Sequence, residues 1–237
     1  MDRSAFPQFP KKRPPLPAEI QEIYAKHYRL NRDGKSSATS VAQRMERWLH
    51  FRVADDVAGL RHTNKRTLEL GAGTLNQLVF EPESEVYDVV EPFTALFQDS
   101  VYRPRISNFY TDISEVPSRN SYDRITSIAV LEHVCDLPMV VSRCVSLLAD
   151  GGVFRASIPS EGTILWKLGW MLTTGVEFRL KYGLDYGQLM RHEHVNTADE
   201  IEMVLRHYFS SVQCRVFGLS KRLSFYRFYE CKDPSLV

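Results

Sequence analysis

Five short β-rich runs, at residues 66–70, 86–90, 107–110, 123–128 and 152–158, recur with helical or loop segments between them. That alternation constrains the fold most. A strand that is followed by a helix returns in parallel register, and a parallel sheet needs cover on both faces. Helices are expected at residues 93–100 and 137–148. The end of the chain reads differently: SSVQCRVF and RLSFYRFYEC, joined by a short connection at residues 218–222, predict an antiparallel hairpin closing the sheet. The five runs and the hairpin together predict an α/β fold. It is a Rossmann-like sheet of seven strands, parallel apart from the hairpin, with helices on both faces.

Residues 1–17 carry five prolines and the basic triplet Lys11-Lys12-Arg13. Proline density prevents a packed helix, so this stretch reads as a tail or a strap over the domain. Residues 18–237 read as a single domain that opens with a cap of helices over 18–62. Ile20, Ile23, Tyr24, His27 and Tyr28 share one face of a first helix that stops near Asp33-Gly34. Val41, Met45, Trp48, Leu49, Val57 and Leu60 keep helical phase through a second. Between the fifth run and the hairpin lies an aromatic insertion, residues 160–194. Ile164, Leu165, Leu168, Met171 and Leu172 form an apolar stripe beside Trp166 and Trp170, with Phe178, Tyr182 and Tyr186 after them. Connections this long inside a compact domain tend to be functional, so the insertion reads either as a lid over a substrate or as a helical insertion packing on its own sheet.

A formal net charge of +1 gives no global pull toward nucleic acid or an anionic membrane, so neither is expected as a partner. No apolar run has the length of a membrane span, and the first residues lack a secretory apolar segment, which together predict a cytoplasmic protein without stable membrane insertion. Cys135, Cys144, Cys214 and Cys231 show no CxxC pairing and read as thiols.

The first β-rich run enters the stretch TLELGAGTLNQL, where an acid precedes two glycines that are one residue apart. A dinucleotide pyrophosphate resists this turn on two counts. The third glycine of G-x-G-x-x-G would fall at Asn76, and Glu69 would place negative charge beside the phosphates. No Gly-Lys-Ser/Thr follows either. A carboxylate here suits a ligand with a cationic group and no phosphate, which describes S-adenosylmethionine.

At LELGAGT the sequence resembles the first motif, (D/E)xGxGxG, of class I S-adenosylmethionine-dependent methyltransferases, in their small-molecule branch. The resemblance continues in order through YDVVEP, FYTDISEVP, YDRITSIAVLEHVCDLP and LLADGGVFRASIP, covering residues 66–159. It implies S-adenosylmethionine as cofactor. Gly71 and Gly73 would form the turn, and Glu69 would meet the ammonium through the turn or a water. Glu91 would hold the ribose hydroxyls, Phe93 would pack on the adenine face, and Asp112 with Ile113 would read the adenine ring. Leu75 stands where the family has its third glycine, which predicts a looser turn.

A hydroxyl acceptor must lose a proton, and histidine is the usual base at neutral pH. His133, in VLEHV, and His192 and His194, in RHEHVNTADEI, are the candidates. Thr197 and Glu200 form a capping box that sets His194 just ahead of a helix. Segments similar to VLEHV occur in ubiquinone-biosynthesis O-methyltransferases, where two glutamates and the histidine bind a metal. Here Ala129 replaces the earlier glutamate, and two ligands hold a divalent ion poorly, so no metal is expected. Trp166, Trp170, Tyr182, Tyr186 and Asn196 are candidate contacts to the acceptor.

The expected activity is methyl transfer by in-line displacement to a small-molecule hydroxyl of the sugar or glycan type, because HEHVNT ahead of a helix resembles methyltransferases of glycan and lipid-modifying pathways. A quinone-like or other natural-product oxygen or carbon is the rival acceptor. From another class, the rival is a non-catalytic S-adenosylmethionine-binding partner protein. A nucleic-acid methyltransferase would want a (D/N)PPY-type motif, and SIAVLEHV lacks it. Homo-oligomerisation is left open.

Overall fold

The computed structural model describes residues 5–21, 23, 40–118 and 121–235. Among the described residues nine strands run in chain order: β1 (His62–Thr63), β2 (Thr67–Leu70), β3 (Glu83–Ser84), β4 (Tyr87–Val90), β5 (Phe109–Tyr110), β6 (Tyr122–Ile128), β7 (Leu148–Pro159), β8 (Phe209–Gly218) and β9 (Ser224–Pro234). β1 and β3 pair with each other. The other strands form a seven-stranded sheet in the order β5-β4-β2-β6-β7-β9-β8. β5, β4, β2, β6 and β7 are parallel, whereas β9 runs antiparallel to both β7 and β8. The order reverses between β2 and β6, so the carboxyl ends of these two strands open a crevice where α/β sheets bind ligands.

Helices α1 (Ser40–Ala54), α2 (Leu137–Leu147), α3 (Ile164–Trp170), α4 (Val176–Tyr182), α5 (Tyr186–Glu193) and α6 (Ala198–Tyr208) complete the fold. α2 and α6 cover one face. Val141, Cys144 and Leu147 of α2 and Ile201, Val204 and Leu205 of α6 join Leu68, Ile125, Phe154, Ala156 and Tyr229 in one apolar core. α1 covers the other face, which is polar. Arg155 donates Nε–H to Val53 O at 2.8 Å, and Ser157 donates its hydroxyl to Leu49 O at 2.9 Å. Arg124, 1% exposed, donates to Asp56 at 2.9 and 3.0 Å and to Glu81 Oε2 at 2.8 Å. The last carbonyls of α1 are thus satisfied by arginines from the sheet, and the arginines are neutralised by acids beside them.

The strand positions follow the sequence. The first expected helix is described only at Ala18–Gln21 and at residue 23, and its stop near Asp33-Gly34 lies outside the described residues. The second ends at Ala54. Val57 stays buried in the short 3-10 turn Asp55–Val57, whereas Leu60 is exposed. The helix expected at 93–100 is only the 3-10 turn Thr94–Leu96. A second, separate 3-10 turn follows at Arg103–Arg105.

The insertion is helical, but its apolar stripe is not buried: Ile164 is 74% exposed and Leu172 71%. Its aromatic residues do the packing. The amino-terminal stretch is a strap. Phe6 and Phe9 enter the main core, and Phe6 stands edge-on to His207 with ring centres 4.9 Å apart. Among the described residues no helix is long and apolar enough to cross a membrane, and the four cysteines are free thiols.

Candidate active site

Gly71 and Gly73 have φ of 66° and 51°, which only glycine adopts cheaply. At Gly71 a β-carbon would also lie 2.3 Å from Val130 Cγ2, so the turn after β2 presses directly on the loop after β6. Leu75 takes the same left-handed conformation, φ 69°, and donates its N–H to Ala72 O at 2.8 Å. The turn therefore closes without the third glycine, and the looser turn expected there does not occur. The strain, about 1 kcal/mol, is offset by burial of Leu75 against Leu78, Tyr87, Val89 and Phe97.

Glu91 stands at the end of β4, 5% exposed. Its Oε2 accepts the Gly73 N–H and its Oε1 the Phe93 N–H, both at 2.9 Å. The structure thus brings Glu91, Gly73 and Phe93 together, and leaves the Phe93 side chain 51% exposed. Glu69 lies beneath the turn rather than in it. It is 3% exposed and accepts the Tyr87 hydroxyl at 2.8 Å, and burial pushes its carboxyl up to about 8. Asp112 caps its own turn, accepting from Ser114 N at 2.8 Å and from Ser114 Oγ at 2.6 Å, which lowers its pKa. Ile113 is in the main core.

The loop after β6 opens with Ala129 at φ 53°, a left-handed residue that turns Leu131–His133 across the strand ends. Burial raises the pKa of Glu132, 1% exposed, despite the neighbouring histidines. His133 Nδ1 donates to Glu193 O at 2.9 Å. His194, at the end of α5, donates from Nδ1 to Glu161 Oε2 at 2.7 Å. The His133 and His194 rings meet edge to face at 4.9 Å, and Trp166 stacks on His194 at 6.3 Å. Burial lowers the pKa of His194, but Glu161, Glu132 and Glu193 outweigh it and the net shift is upward.

Sequence reasoning missed Glu161 and Tyr226. Glu161 also accepts the Trp166 Nε1–H at 2.6 Å, and Tyr226 stands edge-on to Trp166 at 5.4 Å. The acid just past β7 in PSEGT was the available signal for Glu161. Trp170, Tyr182 and Tyr186 gather around Phe178, with Trp170–Tyr186 ring centres 5.8 Å apart and Phe178–Tyr182 centres 5.0 Å apart.

Asn196 is fully buried, donating Nδ2–H to Leu131 O at 2.8 Å and Val134 O at 2.7 Å. It holds the His133 loop in place from below. His192 turns to the strap, donating from Nδ1 to Pro14 O at 2.6 Å. Arg13 of the strap in turn donates to His192 O at 3.1 Å and to His133 O at 2.9 Å. The predicted capping box is present: Thr197 Oγ1 accepts from Glu200 N at 3.3 Å, and Glu200 Oε2 accepts from Thr197 N at 2.8 Å.

No protein-family model matches the chain, and no curated protein does. Solved structures do. N-methyltransferase NodS from Bradyrhizobium japonicum, in complex with S-adenosyl-L-homocysteine, is 15% identical over 84% of this chain and 90% of its own, with a TM-score of 0.54. An S-adenosylmethionine-dependent methyltransferase from Thermotoga maritima is 13% identical over 90% of this chain and 98% of its own, with a TM-score of 0.57. An O-methyltransferase family protein from Burkholderia thailandensis is 14% identical over 98% of this chain and 69% of its own, with a TM-score of 0.54. The chain thus has the fold of class I S-adenosylmethionine-dependent methyltransferases.

Proposed function

We propose that this protein is an enzyme that transfers a methyl group from S-adenosylmethionine to a hydroxyl of a small-molecule acceptor of the sugar or glycan type. The observation that carries the reading is the contact of Glu91 with the glycine turn, which sets a carboxylate from the end of β4 against the backbone that follows β2. A buried carboxylate there is suited to a vicinal diol and hostile to a pyrophosphate.

In this reading the cofactor lies across the ends of β2 and β4, with its ribose at Glu91 and its adenine beside Phe93, Asp112 and Ile113. Its ammonium sits at the Gly71–Gly73 turn, above Glu69, whose largely neutral carboxyl gives up its proton when a cation arrives. The acceptor oxygen bonds to the methyl carbon as the carbon–sulfur bond breaks, leaving S-adenosylhomocysteine and a proton. Such a displacement depends chiefly on alignment. Val130 is pressed against Gly71, so Glu132 and His133 begin two residues from the turn, and they receive that proton together with His194. Trp166, stacked on His194, offers an aromatic face to a sugar ring.

The test is calorimetric titration with S-adenosylhomocysteine, in parallel with NAD. Micromolar binding of the first and none of the second is expected. The reverse order of affinity overturns the reading. Transfer of labelled methyl from S-adenosylmethionine to a panel of sugars and phenols then separates the acceptor classes, and label entering only phenols excludes the sugar assignment.

A further inference from the structure

Glu132, His133 and His194 each present one ligand atom, and these atoms all lie within 4.8 Å of one another. We propose that this cluster is a binding site for a divalent transition-metal ion, with zinc as the representative case. No metal was expected from the Glu132–His133 pair alone; His194 stands far along the chain, and only the fold brings it to that pair as a third ligand.

Two features point to a cation rather than to a self-contained polar network. Glu132 Oε2 is buried and no hydrogen-bond donor reaches it. The nearer nitrogen, His133 Nε2, lies 3.7 Å from Glu132 Oε1, beyond hydrogen-bonding distance. A buried carboxylate oxygen left this way keeps its desolvation penalty with no hydrogen bond to offset it. The second feature is the orientation of the rings. His133 Nδ1 faces the Glu193 carbonyl, which can only accept, so the proton is on Nδ1. His194 Nδ1 faces the Glu161 carboxylate in the same sense. Each neutral ring then keeps its bare lone pair on Nε2. Oxygen acceptors on the outer nitrogen are how proteins fix metal-binding histidines.

Two imidazoles and one carboxylate suit zinc or a neighbouring first-row ion and leave a coordination position open. Zinc bonds of ~2.0–2.2 Å set ligand atoms about 3.3–3.5 Å apart, so the cluster tightens on binding. With the ion in place the rings act as ligands. A hydroxyl at the open position is made more acidic by the ion rather than by a ring nitrogen. That last consequence rests on the methyltransferase reading, whereas the ion binding does not.

The experiment strips the full chain with chelator and titrates Zn²⁺ against a chromophoric competitor. One equivalent is expected to bind, weakened at least tenfold by His194→Ala and by Glu132→Gln, and unchanged by His62→Ala on the exposed strand β1. Co²⁺ should give visible absorption bands that His133→Ala abolishes, which keeps the test sharp if Glu132→Gln does not fold. Zn²⁺ binding no tighter in the native chain than in the His133→Ala/His194→Ala double variant overturns the proposal. Titrating S-adenosylhomocysteine into the same samples shows separately whether the cofactor reading stands.

Discussion

Glu91 Oε2 accepts the backbone N–H of Gly73 at 2.9 Å while its Oε1 accepts that of Phe93, so one carboxylate ties two turns together at the mouth of the crevice. Glu91→Ala is expected to weaken S-adenosylhomocysteine binding at least tenfold by calorimetry. Glu91→Gln should do nearly as badly, because its amide must turn an –NH2 toward one of the two N–H donors. Native affinity in both variants would remove Glu91 from the cofactor site.

The two glycines of the turn differ in a way that thermodynamics can read. A β-carbon at Gly73 meets nothing within 4 Å, whereas at Gly71 it strikes Val130. Gly73→Ala is expected to cost about 1 kcal/mol from positive φ alone. Gly71→Ala adds an overlap with Val130 to that cost, and Val130→Ala should recover part of it. Equal urea midpoints for Gly71→Ala and Gly73→Ala would show that the turn does not press on the Val130 loop.

The buried Glu69 gives a pH dependence whose sign follows from its shift. Its folded pKa is raised to about 8, so the folded state holds a proton that the unfolded state has already lost above the ordinary carboxylate range. This group's contribution is full at low pH and is lost as pH rises toward about 8. Glu69→Gln should therefore flatten the fall in stability between pH 5 and 8, measured by urea unfolding across that range. An identical slope in the variant would mean that Glu69 is ionised in the folded protein.

Arg13 donates to His133 O, His192 O and Glu193 O, so the strap holds the segments that carry the candidate histidines. Arg13→Ala should raise amide hydrogen exchange at His194 and Asn196 at least tenfold and leave Leu205, in the core, unchanged. The global melting point should fall little, because the arginine is partly exposed. Unaltered exchange at His194 would mean that the strap only covers this loop.

The strands, the glycine turn and the acid beside it were legible because their signals are local. The spacing of Gly71 and Gly73, the acid Glu91 at a strand end, and the Thr197–Glu200 capping box each lie within a few residues. The contact of His194 with His133 was not, since it depends on how the insertion folds back over the sheet. Asn196 looked like a polar contact for the acceptor because a sequence does not show which side of a loop an amide faces. The exposure of Ile164 and Leu172 was not legible either, and neither was the polar sheet face around Arg124 and Arg155. Both arginines are anchored by α1 carbonyls and by acids distant in sequence, a pairing that hydropathy patterning does not encode.

The strap has a consequence for the order in which the molecule is completed. Lys11 donates to Val195 O and to Glu200, and Phe6 rests on Tyr208, so the strap docks on residues 184 and 189 positions further along the chain. On the ribosome the segment must wait, unpaired, until the polypeptide has extended past α6. The histidine loop therefore gains its clamp only after the five parallel strands and α6 have all been made.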